Sequence, residues 1–324
     1  MIKNQWYAIL DSKEVKINKA KRILRMNEKL VIWRDSKNKL HCIFDRCCHR
    51  GASLGLGCVK GDQLECPFHG LVYNGEGQVT LIPANGKASQ VEKRFKVNSY
   101  LVKEAYGLIW IWYSDSKEHV PEIPFFEDLK EGFAYHTFKE IWNVHYTRAI
   151  ENQLDVVHLP FVHATTIGKG NKTIVNGPVV KWEGDLMHFY VDNVQDNGEN
   201  KAKKTSDMID YENLFQLQYQ VPNIWQNLIS KDLKVFAAFA PIDETHTMIY
   251  LRFYQKFMTV PFIGKGISVI GSQLNKKILH QDRRVVVTQL PKKSQLKMEE
   301  QLIPGDLPII EFRKKREKLK KENN

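Results

Sequence analysis

The sequence predicts an α+β protein in two parts, an all-β domain over residues 1–115 and an α+β domain over residues 116–324. Three observations predict it. Up to residue 115, short apolar runs alternate with clusters of turn-forming residues, the texture of strands and hairpins. Between residues 133 and 163, apolar residues recur at three- and four-residue steps, the mark of an amphipathic helix. From 173 to 255 strand-like runs return, and a further helix is expected over 270–288. A chain of 324 residues makes one large domain or two ordinary ones, with cores that need no covalent staples.

Taken in order, LVIWRD, LHCIF, LVYN, QVTLI, KVNSYLV and GLIWIWY read as strands of the first domain. SKN, NGEGQ and PANGK read as the turns between them. SDSKEHVPEIPFFED, polar and interrupted by proline, reads as a linker. Trp142, Tyr146, Ala149, Ile150, Leu154 and Val157 form the helical stripe, which Pro160 ends or distorts. TIVNGPVVKW, LMHFYVDNV, NLFQLQYQV, LKVFAAFAP and MIYLRFYQKF read as strands, and DNGENKAKKTSD as a flexible loop. Phe215, Tyr219, Trp225 and Phe239 on these strands are candidates for lining an apolar pocket, although aromatic residues on strands more often fill cores.

Charge and cysteine usage narrow the class. The net charge is +11, and the last thirteen residues, FRKKREKLKKENN, contribute seven Lys or Arg against two Glu. That run reads as a solvated, frayed helix, with docking of an acidic partner as the functional alternative. No basic-aromatic recognition motif accompanies it, so nucleic acid is not an expected partner. No signal peptide is expected from MIKNQWYAILDSKEV, and the most apolar stretch, MTVPFIGKGISVIG, is short and broken by Lys265, so no membrane span is expected. Five cysteines without a signal peptide point to a reducing cytoplasm, where Cys/His clusters mean metal or catalysis.

Four of the five cysteines crowd into residues 47–66, in CCHRGASLGLGCVKGDQLECPFHG. Cys47 and His49 form one close pair, Cys66 and His69 another, with sixteen residues between the pairs. Each loop can thus offer one thiolate and one imidazole to a shared centre, and the glycines around them allow sharp turns. Zinc is the first rival, but zinc fingers pair Cys with Cys and His with His. Mixed loops supply the ligand set of a Rieske [2Fe–2S] centre, with two thiolates on one iron and two imidazoles on the other. Cys42, Cys48 and Cys58 are left as small apolar residues of a β core. His41, His119, His136, His145, His188, His246 and His280 sit in no ligand spacing and read as structural or exposed.

A second constellation lies in ENQLDVVHLPFVH, residues 151–163. His158 and His163 would point apart on a regular helix, and Pro160 between them lets the chain fold back. Iron that activates O₂ uses two histidines and a carboxylate with open positions left over. LHQDRRVVVTQ offers Asp282 as that carboxylate, or as a surface salt-bridge partner of a neighbouring base.

CCHRGASLGLG…CPFHG resembles the Rieske motif of the Rieske non-heme iron oxygenases, and the resemblance extends over nearly the whole chain. Where respiratory Rieske proteins carry an extra cysteine in each loop and a serine, this chain has Ala52, Phe68 and Leu71. Fewer donors to the cluster imply a low potential within the Rieske range. N-x-x-D-x-x-H-x4-H reads here as Asn152, Asp155, His158 and His163, and Asp282 matches the family's late aspartate. The resemblance implies that His158, His163 and Asp282 hold a mononuclear iron. It implies that Asp155 links the Rieske histidine His69 of one subunit to His158 of the next, and that Asn152 lies near the iron without ligating it.

The fold implied is an all-β Rieske domain followed by an α+β catalytic domain with a large antiparallel sheet. The partners implied are a separate NAD(P)H-dependent reductase, with or without a ferredoxin, O₂, and a small organic substrate. The short catalytic part resembles homotrimeric monooxygenases and O-demethylases more than dioxygenases with an added β subunit. Cis-dihydroxylation of an aromatic ring is the alternative within enzymes. An electron-transfer protein with an appended binding domain, and a zinc-binding interaction protein, are the alternatives outside that class.

Overall fold

Ten strands, β1 (Gln5–Asp11), β2 (Lys19–Arg25), β3 (Glu28–Arg34), β4 (Leu40–Phe44), β5 (Cys58–Lys60), β6 (Gln63–Glu65), β7 (Val72–Tyr73), β8 (Val79–Leu81), β9 (Val102–Ala105) and β10 (Leu108–Tyr113), build the first part of a computed structural model. The structure describes residues 1–257 and 263–323, and for residues 263–268 and 270 the backbone alone. The strands form three antiparallel sheets, ordered β1-β10-β9, β2-β3-β4 and β5-β6-β7-β8. Strand β1, QWYAILD, is buried along nearly its whole length, so it shows no alternation and escapes a period-2 reading. KVNSYLV is irregular apart from single bridges at Lys96 and Ser99, and β9 begins only at its last residue.

Contacts divide the chain into Asn4–Ile123 and a second unit of Pro124–Asn324 together with Met1–Lys3. The second unit holds β11 (Ala134–Trp142), α1 (Tyr146–Leu154), α2 (Leu159–Val162), β12 (Ile174–Glu183), β13 (Leu186–Val194), β14 (Phe215–Gln220), β15 (Ile224–Ser230), β16 (Leu233–Pro241), β17 (Thr247–Gln255), α3 (Ile263–Val286) and α4 (Leu307–Glu322). Its seven strands make one antiparallel sheet in the order β11-β17-β16-β15-β14-β13-β12. α3 lies against β11 and β17, α1 against β16, and α4 against β12. Trp142, Ile150, Phe189, Tyr219, Phe239 and Phe312 meet in the core between sheet and helices. The first residues of the apolar stretch around Lys265, 258–262, lie outside the described residues; no described helix is long and apolar enough to cross a membrane.

Two expectations are corrected. The helical stripe over 133–163 is mostly not helix. Residues 134–142 pair with β17 along their whole length, and α1 begins only after His145, whose Nδ1 caps it by accepting from the Thr147 amide. Trp142 and Tyr146 share one core from two different elements, which imitates helical spacing.

The basic C-terminal run is not a frayed, solvated helix either. α4 buries Ile309, Phe312, Arg313, Arg316 and Leu319. Arg313 donates to both oxygens of Glu151 at 2.7 and 3.1 Å and to Glu300 at 2.8 Å. Arg148 completes the network, reaching Glu151 at 3.0 Å and Glu300 at 2.7 Å. Two guanidinium groups thus satisfy two carboxylates in a water-poor site, and α4 is fixed to the helix that carries Asn152.

Candidate metal centres

In the first unit the two Cys/His loops are built alike. The Cys47 amide donates to Ala52 O and the Gly51 amide to Cys47 O; the Cys66 amide donates to Leu71 O and the Gly70 amide to Cys66 O. Gly51 and Gly70 adopt φ of +77° and +73°, where a side chain would strain each turn. Cys47 and Cys66 are buried among Val31, Leu54, Leu64 and Leu71, while His49 and His69 are exposed, their ring centroids 4.7 Å apart. Thiols inside and imidazoles outside fit a two-iron cluster with unlike ligands at its two ends. Burial, and after it the adjacent Cys47, push the Cys66 thiol above its ordinary pKa, against the Phe68 and His69 amides, which lower it.

Tyr73 is a neighbour of this candidate centre that the sequence reading does not single out. Its hydroxyl lies 3.1 Å from Cys47 Sγ and 3.2 Å from Cys48 Sγ, and accepts from the Cys48 amide at 3.1 Å. With its oxygen already accepting, the proton is available to sulfur. Burial, then the two thiols, hold the phenol protonated well above its ordinary range. The reading of Cys48 and Cys58 as core residues is corrected: both are exposed, and only Cys42 of the three is buried.

In the second unit α1 ends at Leu154, before either histidine. Asp155 turns extended at ψ 123°, so Asp155 and His158 do not share a helix, as the sequence had suggested. They still meet: Asp155 Oδ1 accepts from the Val157 and His158 amides at 2.7 and 3.2 Å and lies 3.6 Å from His158 Nδ1. Pro160 does not break a helix; it sits in the first turn of α2, a position that needs no amide proton, with His158 as N-cap and His163 as C-cap. This single short turn is what brings the two imidazoles together.

His158, His163 and Asp282 converge so that one donor atom of each lies within 4.8 Å of the others. The two Nε2 atoms are 3.3 Å apart, and Asp282 Oδ1 is 2.9 Å from His163 Nε2 and 3.4 Å from His158 Nε2. An ion about 2.1 Å from each nitrogen would set them roughly 3.0–3.4 Å apart. Asp282 Oδ1 is buried and makes no hydrogen bond among the described residues. Gln281 Oε1 takes the Nδ1 proton of His163 at 2.9 Å, which leaves the Nε2 lone pair facing the centre. Thr166 donates to the same oxygen at 2.8 Å. The residues present therefore fit a facial two-histidine, one-carboxylate ion.

Two buried carboxylates facing the histidines make the site favourable to a cation, whether a proton on His158 or a metal ion that displaces it. Burial alone would lower the His158 pKa, but Asp155 and Asp282 outweigh it and raise it to about 9. Burial would raise Asp155 and Asp282, yet the facing imidazoles and, for Asp155, backbone amides hold both below the ordinary carboxylate value. Gln281 is a residue of this site that the sequence reading does not single out; its one local signal is adjacency to a candidate ligand on a helix. Asn152 lines the same space, its Nδ2 buried and without a hydrogen-bond partner among the described residues.

The triad closes one part of a cavity of about 620 Å³. Leu217, Val235, Leu251, Ile278 and Leu279 are among its walls. Of the four aromatic candidates, Phe215 and Trp225 line it, whereas Tyr219 and Phe239 are fully buried in the core. His41 stacks on Trp33 and pairs with Asp35 at 3.0 Å, and His280 pairs with Glu140 at 2.6 Å, so these two take structural partners.

Residues 5–100 match the Rieske [2Fe-2S] domain family, and residues 142–322, over half of the chain, match the vanillate O-demethylase oxygenase C-terminal domain family. The chain is 32% identical over 202 residues to a vanillate O-demethylase oxygenase subunit of Pseudomonas sp. (strain HR199 / DSM 7063), covering 59% of this chain and 54% of that one. It is 30% identical over 175 residues to the toluene-4-sulfonate monooxygenase iron-sulfur subunit TsaM1 of Comamonas testosteroni, covering 52% and 48%. The matched stretch is thus about half the length of these curated relatives. Among solved structures, NdmA of Pseudomonas putida CBB5 superposes with a TM-score of 0.79 at 24% identity, over 98% of this chain and 90% of that one, a likeness of fold.

Proposed function

Because this chain belongs to the Rieske non-heme iron oxygenases, as an oxygenase component with a catalytic domain of the vanillate O-demethylase type, we propose that it monooxygenates or oxidatively demethylates a small, largely apolar ring compound. The observation that carries this reading is the His158–His163–Asp282 triad opening on the 620 Å³ cavity, a volume suited to a ring compound of modest size.

When bound, the cluster supplies single electrons, and the mononuclear iron supplies the site at which O₂ is reduced. The chain's residues do the rest. Cys47 and Cys66, buried, and His49 and His69, exposed, would hold the cluster, and an exposed imidazole is open to an incoming electron donor. His158, His163 and Asp282 would hold the mononuclear iron, and all three line the cavity that would take the substrate. Gln281 fixes the tautomer of His163 by accepting from its Nδ1, and Asp155, 3.6 Å from His158 Nδ1 and beyond hydrogen-bond reach, favours a proton on that nitrogen by its charge. The aliphatic walls bind the ring and exclude water.

Asp155 also keeps its side chain partly exposed. That supports a bridge in which His69 of a second subunit reaches Asp155 from outside, in a homotrimer. A separate NAD(P)H-dependent reductase, with or without a ferredoxin, would supply the electrons, and the cytoplasm is the compartment this chemistry suits.

The test is O₂ uptake by the iron-loaded protein with a generic reductase, across methoxy-aromatics, heteroaromatics and sterol-like compounds. Uptake coupled to formaldehyde release from a methoxy or N-methyl compound is the expected result. A cis-diol product would favour dihydroxylation, and no substrate-dependent uptake with any ring compound would overturn the reading.

A further inference from the structure

One wall of the cavity carries two buried polar atoms that have no hydrogen-bond partner among the described residues. Trp225 and Asn227 are two residues apart on β15, so they project from the same face of the sheet, and both line the cavity. Asn227 is paired across the sheet with Leu217 on one side and Val235 on the other. Leu217, Val235 and the next residue on this face, Ile229, also line the cavity. A carboxamide therefore stands alone in an aliphatic wall. Its Oδ1 is buried without a hydrogen-bond partner among the described residues, and so is the Trp225 indole Nε1.

The opposite face of the same strands behaves differently. There Gln226 Nε2 reaches Asp128 at 3.0 Å and Gln218 at 2.5 Å, and Gln216 and Gln218 both reach His188 Nδ1, at 2.8 and 3.0 Å. That face pairs its side chains with one another, although Gln226 Oε1 and His188 Nε2 there are also buried without a hydrogen-bond partner among the described residues. Buried polar groups are ordinarily paired within the protein, and ligand sites are where that rule is relaxed. Asn χ2 is broad, and turning the amide exchanges its two ends, so it can offer a donor to the cavity.

We propose that Trp225 and Asn227 are the polar anchor of the substrate: both donate to an acceptor oxygen carried on an apolar ring, as a carboxylate, a sulfonate or a carbonyl. Lys172 lines the same cavity, is exposed, and has no ion-pair partner among the described residues, which favours the anionic members of that class. The anchor rests on the oxygenase reading for its purpose, but the binding it describes is measurable without turnover.

The experiment uses the whole iron-loaded chain and three probes in equilibrium dialysis: 4-methoxybenzoate, 4-methoxybenzamide and 4-methylanisole, all with the ether oxygen and the last lacking the carboxylate or carbonyl oxygen. The wild type should bind the acceptor-bearing probes about tenfold more tightly than 4-methylanisole. Asn227→Leu and Trp225→Phe should each cut that preference by about fivefold or more, with iron content, cluster absorbance and 4-methylanisole binding unchanged. Asn227→Asp should lose the carboxylate more than the amide, because like charges then face each other. Benzoate bound more tightly than benzamide at low salt, with the gap closing as salt rises, would assign the preference to Lys172; equal affinity would assign it to the carbonyl alone. An unchanged preference in both Asn227→Leu and Trp225→Phe, or no preference or no binding in the wild type, would overturn the anchor. O₂ uptake separates this from the oxygenase reading: a preference that depends on Asn227 without uptake defeats only the latter, and uptake without the preference defeats only the anchor.

Discussion

Replacing Arg313 by methionine should destabilise the catalytic unit by about 3 kcal/mol. Arg313 is 4% exposed and donates three charged hydrogen bonds, two to Glu151 and one to Glu300. Methionine fills much of the volume but leaves two carboxylates sharing the single guanidinium of Arg148. Removing one partner of a buried ion pair costs about 3–5 kcal/mol, and the lower end applies because both Glu151 and Glu300 keep one partner. For a unit of roughly two hundred residues, each kcal/mol lowers Tm by about 2–4 °C, so a fall of about 6–12 °C is expected. Calorimetry of the iron-loaded protein measures it, with visible absorbance of the cluster reporting the other unit separately. Arg313→Lys should fall between, since it keeps the charge and loses the fork. A change below about 2 °C for Arg313→Met would refute the idea that α4 is built into the core. Deleting the chain after Ile310 would remove Phe312, Arg313, Arg316 and Leu319, all buried, so that deletion tests stability rather than reductase docking.

Three further outcomes are expected. Asp155→Asn keeps an acceptor for the Val157 and His158 amides, so iron content should hold while single-turnover electron transfer to the mononuclear site slows; an unchanged rate would remove the bridge. Tyr73→Phe removes a donor to the Cys47 sulfur and should lower the cluster's midpoint potential by about 40 mV, taking roughly 1 kcal/mol of differential stabilisation for one electron; a rise would show that the hydroxyl points elsewhere. Burial works against ionisation of Glu300, but Arg148 and Arg313 hold its carboxyl below the ordinary value of 4.5. A folded pKa below the unfolded one gives stability that is present above about pH 4.5 and lost as pH falls through the folded pKa. Glu300→Gln should therefore be less stable at neutral pH and lose less between about pH 5 and 3; parallel acid-unfolding curves would contradict the pairing.

The parts that were legible in the sequence are those whose chemistry is local. Cys47–His49 and Cys66–His69 carry their turn glycines beside them, and β12 and β13 announce themselves as β-rich runs closed by a short turn. His158 and His163 were legible as a pair, but not the means that joins them: Asp155 leaves the helix and Pro160 starts a new turn, choices made by amide capping rather than by periodicity. β11 was hidden because its half-buried side chains do not alternate cleanly, and its stability comes from β17, more than a hundred residues away. Tyr73 was hidden for the same reason, since its partner Cys47 lies 26 residues earlier with nothing local to mark the contact. The charge run of α4 looked solvated because Glu151, the carboxylate that neutralises Arg313, is 162 residues upstream.

Two iron sites of different kind in one chain are the centre of this account, and metal stoichiometry tests them most directly. Iron and acid-labile sulfide, measured on protein reconstituted anaerobically, should give about three irons per two sulfides, and His158→Ala should give about two irons per two sulfides with the visible spectrum intact. About two irons per two sulfides in the unaltered protein, or no loss of iron in His158→Ala, would contradict it.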